Sequence, residues 1–399
     1  MTSNHPILDQ VVLGYSPMID RNRMVMATRL TVFPIRPDAS VAAAPLLAAV
    51  NEVWPAEGGL VSLNVVSESL LHDLMEAKPS ANLMIEVPAF IACNPAHAEA
   101  LLSLRVNGNT LLIKGRPLSE LPRDVLPCFK YSIIDLEDDR RLGDTPPAAG
   151  VTRSIEHVQS SVHTLEDMEA SFRRGAVAVL GWPMEHSAVP AGGKREVQAD
   201  LQVIIELMAR VDAAEPIEKM EATLRRDPSL AFKLMRYLNS AAFGLTVEVS
   251  SFRHAIMLLG YSRLKRWLAL LLTTASKDAN MRPVMFAAVR RGLLMEELAG
   301  ANAESEVRDE MFICGMFSLL DRMLHQPFDQ LLKTVPVPER VSQALAKHSG
   351  PYHPYMELAR AIEAESLFDF RAAADTLMLS AEEINHAVLR ALGKAKQLD

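Results

Sequence analysis

The chain has 399 residues, 49% of them hydrophobic and 23% charged, which is enough apolar mass for two cores of ordinary size and excludes a disordered or fibrous protein. Its 41 Lys and Arg against 49 Asp and Glu leave a net charge of −8, which argues against nonspecific binding to nucleic acid or an anionic membrane. Three scattered cysteines without CxxC or CxxxH spacing point away from a disulfide framework or a zinc site, and no leader or bilayer-length apolar run is visible, so a cytoplasmic setting is expected.

Short β-rich runs alternate with helical periodicity between residues 9 and 182. Strands are predicted at 10–15, 24–33, 60–66, 83–87, 110–114, 131–136, 151–158 and 176–180, with helices at 41–53, 67–76, 95–106 and 165–174. Ser67 and Thr164 stand where N-caps are needed. Eight strands with interposed helices predict an α/β barrel of the (β/α)8 kind over 1–184, and the first two strands, too close for a helix between them, should pair as a hairpin. Residues 185–198, rich in Pro, Gly and small side chains, read as a linker. From 199 to 399 the β-branched runs give way to 3.6-residue periodicity, so this domain is expected to be all helical, with Asp227-Pro228 opening one helix and Gly260 punctuating another. Residues 1–190 hold 15 basic and 22 acidic residues, and the remainder 26 and 27, so the acidity belongs to the first domain.

Sites in such barrels lie at the carboxyl ends of the strands, and here those ends offer Arg29 (Thr28 if the register slips by one), Asn64, Glu86, Lys114, Asp135 and Glu156. The runs LVSLNVVSESLL, NLMIEVP, LLIKGRP, YSIIDLED, RSIEHVQ and AVAVLGWPM, in this order, resemble the strand-end landmarks of EAL domains, barrels that hydrolyse cyclic di-GMP with two divalent metals. The resemblance matches Asn64, Glu86 and Glu156 to metal-ligating positions. It also implies losses: Ala27-Thr28-Arg29-Leu30 replaces the name-giving glutamate, Lys114-Gly115 replaces paired aspartates, Ile133 or Ile134 stands for a lysine, and Leu180-Gly181 for a Gln-Gly pair. Two-metal hydrolysis needs several carboxylates and is opposed by an ammonium among them, so no metal, cofactor or hydrolysis is expected here. Lys114 with Glu86, Asp135 and Glu156 then reads as an ion-pair cluster replacing the metals. The competing reading is a ligand pocket in which Lys114, Arg29 or Arg116 meets a phosphate.

In the second half, residues 224–273 (LRRDPSLAFKLMRYLNSAAFGLTVEVSSFRHAIMLLGYSRLKRWLALLLT) resemble the HDOD signature, a relative of HD-type phosphohydrolases without the metal ligands. Ser318 and Leu319 in MFICGMFSLLDRML stand where an active relative would carry its His-Asp pair. Asn239 reads as a helix-end side chain and the 20 methionines as core filler. Arg253, Arg263, Lys265 and Arg266 could touch a phosphate backbone, but no basic stripe supports a nucleic-acid ligand. The combined resemblance implies a bacterial signal-transduction scaffold of tandem EAL-HDOD type, non-catalytic and acting through protein partners on the helical domain. A receptor that binds cyclic di-GMP without hydrolysis is the alternative, residual phosphodiesterase activity is a third reading, and a homodimer is left open.

Overall fold

In a computed structural model the described residues are 5–36, 41–57, 59–139, 155–184, 199–224, 252–274, 278–324, 326–333 and 335–396. The predicted linker and residues 225–250, with Asp227 and Asn239, lie outside them. The chain forms two compact units, Met1–Val189 with Arg360–Leu389, and Pro190–Ala359 with Arg390–Asp399. The sequence groups 360–389 with the helical region, whereas their contacts place them with the barrel.

The first unit holds a closed eight-stranded barrel in sequence order: β1 (Val11–Asp20), β2 (Val25–Pro34), β3 (Val61–Val65), β4 (Leu83–Pro88), β5 (Leu111–Lys114), β6 (Phe129–Asp135), β7 (Glu156–Ser160) and β8 (Ala178–Leu180). β1 runs antiparallel to both β2 and β8, and every other neighbouring pair is parallel. The hairpin follows from its turn: the Asp20 carboxylate accepts bonds from the backbone N–H groups of Asn22 and Met24, both at 2.8 Å, while Arg23 takes a left-handed φ of 64°. Helices Ala43–Val53, Glu68–Glu76, Ala98–Val106 and Leu165–Arg173 fill the expected crossovers. The Ser67 hydroxyl accepts from Leu70 N and that of Thr164 from Asp167 N, the two caps read from the sequence.

Side chains alternate across each strand, so one parity lines the interior. Met18, Ala27, Met84, Leu112, Tyr131, Ile133, Val158, Ala178 and Leu180 make one buried cluster there. This parity fixes the register left open at the second strand. Arg29 lies two residues beyond Ala27 and points inward, and Thr28 does not.

The stretch Arg360–Leu389 is stitched to β1 within the same unit. The buried Asn385 side chain accepts from Leu13 N at 3.0 Å and donates to the carbonyls of Leu8 and Val11 at 2.7 Å each. Gly14 leaves room for this approach, since a Cβ there would sit 3.1 Å from both Glu365 Cγ and the Ile362 carbonyl oxygen. The Trp182 indole donates to the Glu363 carbonyl at 3.0 Å and stands edge-on to Tyr15.

The described part of the second unit is helical, as expected. Helix Phe252–Thr274 is broken at Gly260, whose φ of 69° and ψ of 174° separate two helices at the residue the sequence marked. Helices Arg282–Leu298 and Ser305–Phe317 cross with almost no gap: a Cβ on Gly315 would lie 2.5 Å from the Arg291 carbonyl oxygen. Met295, Met311, Met316 and Met323 are buried in this unit, filling core as read. No described helix is long and apolar enough to cross a membrane.

Candidate functional site

The carboxyl ends of the strands bring four of the six singled-out residues together. Arg29, on β2, places Nε 2.7 Å from Glu86 Oε1 and Nη2 2.8 Å from Oε2, a two-pronged pair with a buried carboxylate near the end of β4. Ser62 Oγ donates to the same carboxylate at 3.1 Å. On β5, Lys114 Nζ donates to Asn64 Oδ1 at 2.6 Å, and the Asn64 amide donates to Thr31 Oγ1 at 3.2 Å.

A fifth participant enters from the far end of the chain. Glu365 accepts from Arg29 Nη1 through Oε2 at 3.2 Å and from Ser16 Oγ through Oε1 at 2.9 Å. It sits in the left-handed region, φ 54°, at a helix end where Glu365 N donates to the Ile362 carbonyl and Ser366 N to that of Ala361. Glycine normally fills this place, and a side-chain-bearing residue costs about 1 kcal/mol there. The bonds its carboxylate makes to Ser16 and Arg29 offset that cost.

The electrostatics follow from burial. The Glu86 side chain has no exposed surface; burial opposes its ionisation, but Arg29, Lys114 and Ser62 outweigh it and hold its pKa below the ordinary carboxylate value. Burial lowers the Arg29 pKa, yet Glu86 and Glu365 more than reverse this and the guanidinium stays charged. For Lys114 burial wins: with the like charge of Arg29 it holds the ammonium below its ordinary pKa against the pull of Glu86 and Glu365.

Asp135 and Glu156 do not join these residues. Asp135 ends β6 and accepts from the Ser161 hydroxyl and from Glu137 N, stabilising its own loop. Glu156 is the first residue of β7, exposed, paired in register with Tyr131 at the opposite end of the strands from Lys114. Of the predicted strand at 151–158, residues 151–154 lie outside the described residues; the described strand runs on to Ser160 and carries buried polar residues, His157 and Gln159, on its other face. The Gln159 amide donates to the Ile134 carbonyl at 2.8 Å.

In the second unit, Ser318 Oγ accepts from Arg291 Nη1 at 2.8 Å and donates to the Gly315 carbonyl at 2.7 Å. Of the four cations weighed for a phosphate backbone, Arg266 grips Glu296 with two bonds of 2.8 and 2.6 Å and stacks 3.9 Å over Phe312, Arg253 pairs with Glu218, and Lys265 with Asp212. Burial raises the Glu296 pKa, but Arg266 outweighs it and the carboxyl lies below its ordinary value. Among the described residues no group of three or more His, Cys, Asp or Glu side chains could hold a metal ion.

Comparison with known proteins adds four findings. Residues 199–326 match the HDOD domain model, where the sequence places that resemblance. The chain is 26% identical over 317 residues to the cyclic di-GMP phosphodiesterase CdgJ of Vibrio cholerae, covering 75% of this chain and 70% of that protein. It is also 26% identical over 221 residues to the uncharacterized protein YuxH of Bacillus subtilis, covering 54% of this chain and spanning about half (53%) of YuxH. The EAL domain of Mycobacterium smegmatis DcpA is similar at 19% identity and a TM-score of 0.32, over 43% of this chain and 90% of that one. Residues 199–326 thus match an HDOD domain, and in the sequence they follow a closed eight-stranded barrel.

Proposed function

We propose that this protein is a non-catalytic component of bacterial cyclic di-GMP-related signalling that acts by binding other proteins, with the HDOD region offering the binding face and the barrel serving as its platform or regulator. The observation that carries the reading is the bidentate Arg29–Glu86 pair. A two-metal hydrolase must present carboxylates to hard cations, and here the buried mouth carboxylate is spent on a guanidinium while an ammonium holds the neighbouring Asn64. The mouth residues do not fit a pair of divalent metals, and no hydrolytic step is assigned to them. The similarity to CdgJ supports the signalling context.

A second reading, a receptor that binds cyclic di-GMP without cleaving it, is favoured by the cations Arg29 and Lys114 held at the mouth beside Glu86 and Asn64. Incubating the full chain with cyclic di-GMP and excess Mg²⁺ or Mn²⁺ is expected to yield no linear product by chromatography. Metal-dependent turnover lost in Glu86→Ala would overturn the proposal. Calorimetric titration with the same dinucleotide then separates the two readings: saturable heat weakened by Arg29→Ala makes the barrel a receptor, and a flat trace leaves the scaffold.

A further inference from the structure

Beside the mouth, at the ends of β4 and β5, the barrel unit opens into a cleft of about 630 Å³. Its lining includes Phe90, Cys93, Lys114, Arg116, Leu118 and Ser119. Lys114, whose Nζ also reaches Asn64, and Arg116 both line it, and among the described residues no carboxylate does, although residues 1–190 are rich in acid. The Arg116 Nε is buried without a hydrogen-bond partner among the described residues, an arrangement that costs free energy until an acceptor arrives. Two large apolar side chains flank these charges and are left in water, Phe90 at 63% exposure and Leu118 fully exposed. The volume falls within the range of small-molecule pockets, and the layout of a cationic end with an apolar flank matches a ligand that is charged at one end only.

We propose that this cleft binds a small amphipathic anion, its phosphate or carboxylate head between Lys114 and Arg116 and its apolar body along Phe90 and Leu118. Such a head supplies the acceptor Arg116 lacks and a countercharge for Lys114, whose burial otherwise disfavours its ammonium. Of the mouth residues the cleft shares only Lys114, so the inference goes beyond the proposed function and holds whether or not cyclic di-GMP binds.

Cys93 provides the reporter, because it lines the cleft and is partly exposed while Cys128 and Cys314 are buried. The full chain is labelled with N-ethylmaleimide in the presence of octyl phosphate, octanoate or octanol, all below micellar concentrations, and modification of Cys93 is followed by mass spectrometry. Octyl phosphate is expected to slow labelling saturably, and Arg116→Gln to raise its half-protecting concentration about tenfold. Leu118→Ser, at a fully exposed position that cannot unsettle the core, is expected to raise it several-fold. Protection by octanoate as well assigns the head site to anions in general, and protection by octyl phosphate alone assigns it to phosphates. Octanol protecting at the same concentration as octyl phosphate, an Arg116→Gln chain protected like the parent, or no protection by any of the three would overturn the proposal.

Discussion

The barrel mouth and the helix crossing of the second unit each seat a largely buried arginine, and they hold it by different physics. In the barrel, Arg29 is met by two carboxylates, one of them wholly buried, so the site is a balance of large opposed charges. At the helix crossing, Arg291 donates to the hydroxyl of Ser318, and the surroundings are defined by the fit of two backbones at Gly315. A charged centre tolerates changes of shape but not the loss of one charge, and a close-packed centre tolerates polar trimming but not added volume.

The largest effect that tests this contrast is Arg29→Ala. Leaving Glu86 buried and unpaired should cost about 3–5 kcal/mol of barrel stability, whereas the paired replacement Arg29→Met with Glu86→Leu should recover most of it, because apolar side chains of similar volume often serve as well as a buried ion pair. Urea unfolding followed by tryptophan fluorescence measures both, and equal losses in the two variants would show that packing, not charge, governs the mouth. Next in size is Gly315→Ala, whose new methyl must displace backbone at 2.5 Å; about 1–3 kcal/mol is expected to be lost from the helical unit. A smaller loss than Ser318→Ala produces would break the comparison. Ser318→Ala itself should cost about 1.5 kcal/mol, the range for one hydrogen bond to a charged donor.

Much of the barrel was legible because alternation is a local property: inward parity runs through Ala27 and Arg29, Ser62 and Asn64, Met84 and Glu86, Leu112 and Lys114, and each pair is written two residues apart. The end of the strand at Glu156–Ser160 is hard to read from the sequence because its outer face buries His157 and Gln159, polar residues that interrupt the apolar signal and bond to each other and, through Gln159, to the Ile134 carbonyl. Glu156, expected at the carboxyl end, is the first residue of that strand. Glu365 left no trace at all: it reaches Arg29 across 336 positions, and nothing in AIEAES announces a helix end held left-handed to aim a carboxylate at the barrel. The Arg29–Glu86 pair is half legible, since the sequence marks both residues but offers Glu86 as a partner of Lys114 and Arg29 as a phosphate ligand, not as partners of each other.

The smallest expected effect separates Lys114 from its neighbours in the same mouth. For Glu86 the folded pKa lies below the ordinary value, so its contribution is complete above that value and fades only as pH falls towards the folded pKa. For Lys114 the folded pKa is also lowered, which for a cation means that the unfolded chain binds the proton more tightly. Between the folded pKa and the ordinary value of 10.5 the unfolded state therefore holds more protons, and stability contributed by this group rises with pH through that window, opposite to a lysine gaining a partner. Lys114→Met removes the group and its slope. The difference in urea midpoint between parent and variant, followed on the alkaline side of neutrality, should shift in the parent's favour as pH increases. A constant difference would mean that Asn64 and Glu86 hold the ammonium as well as water does, and the mouth would then be a fully balanced charge cluster rather than one with a cation left in want of an anion.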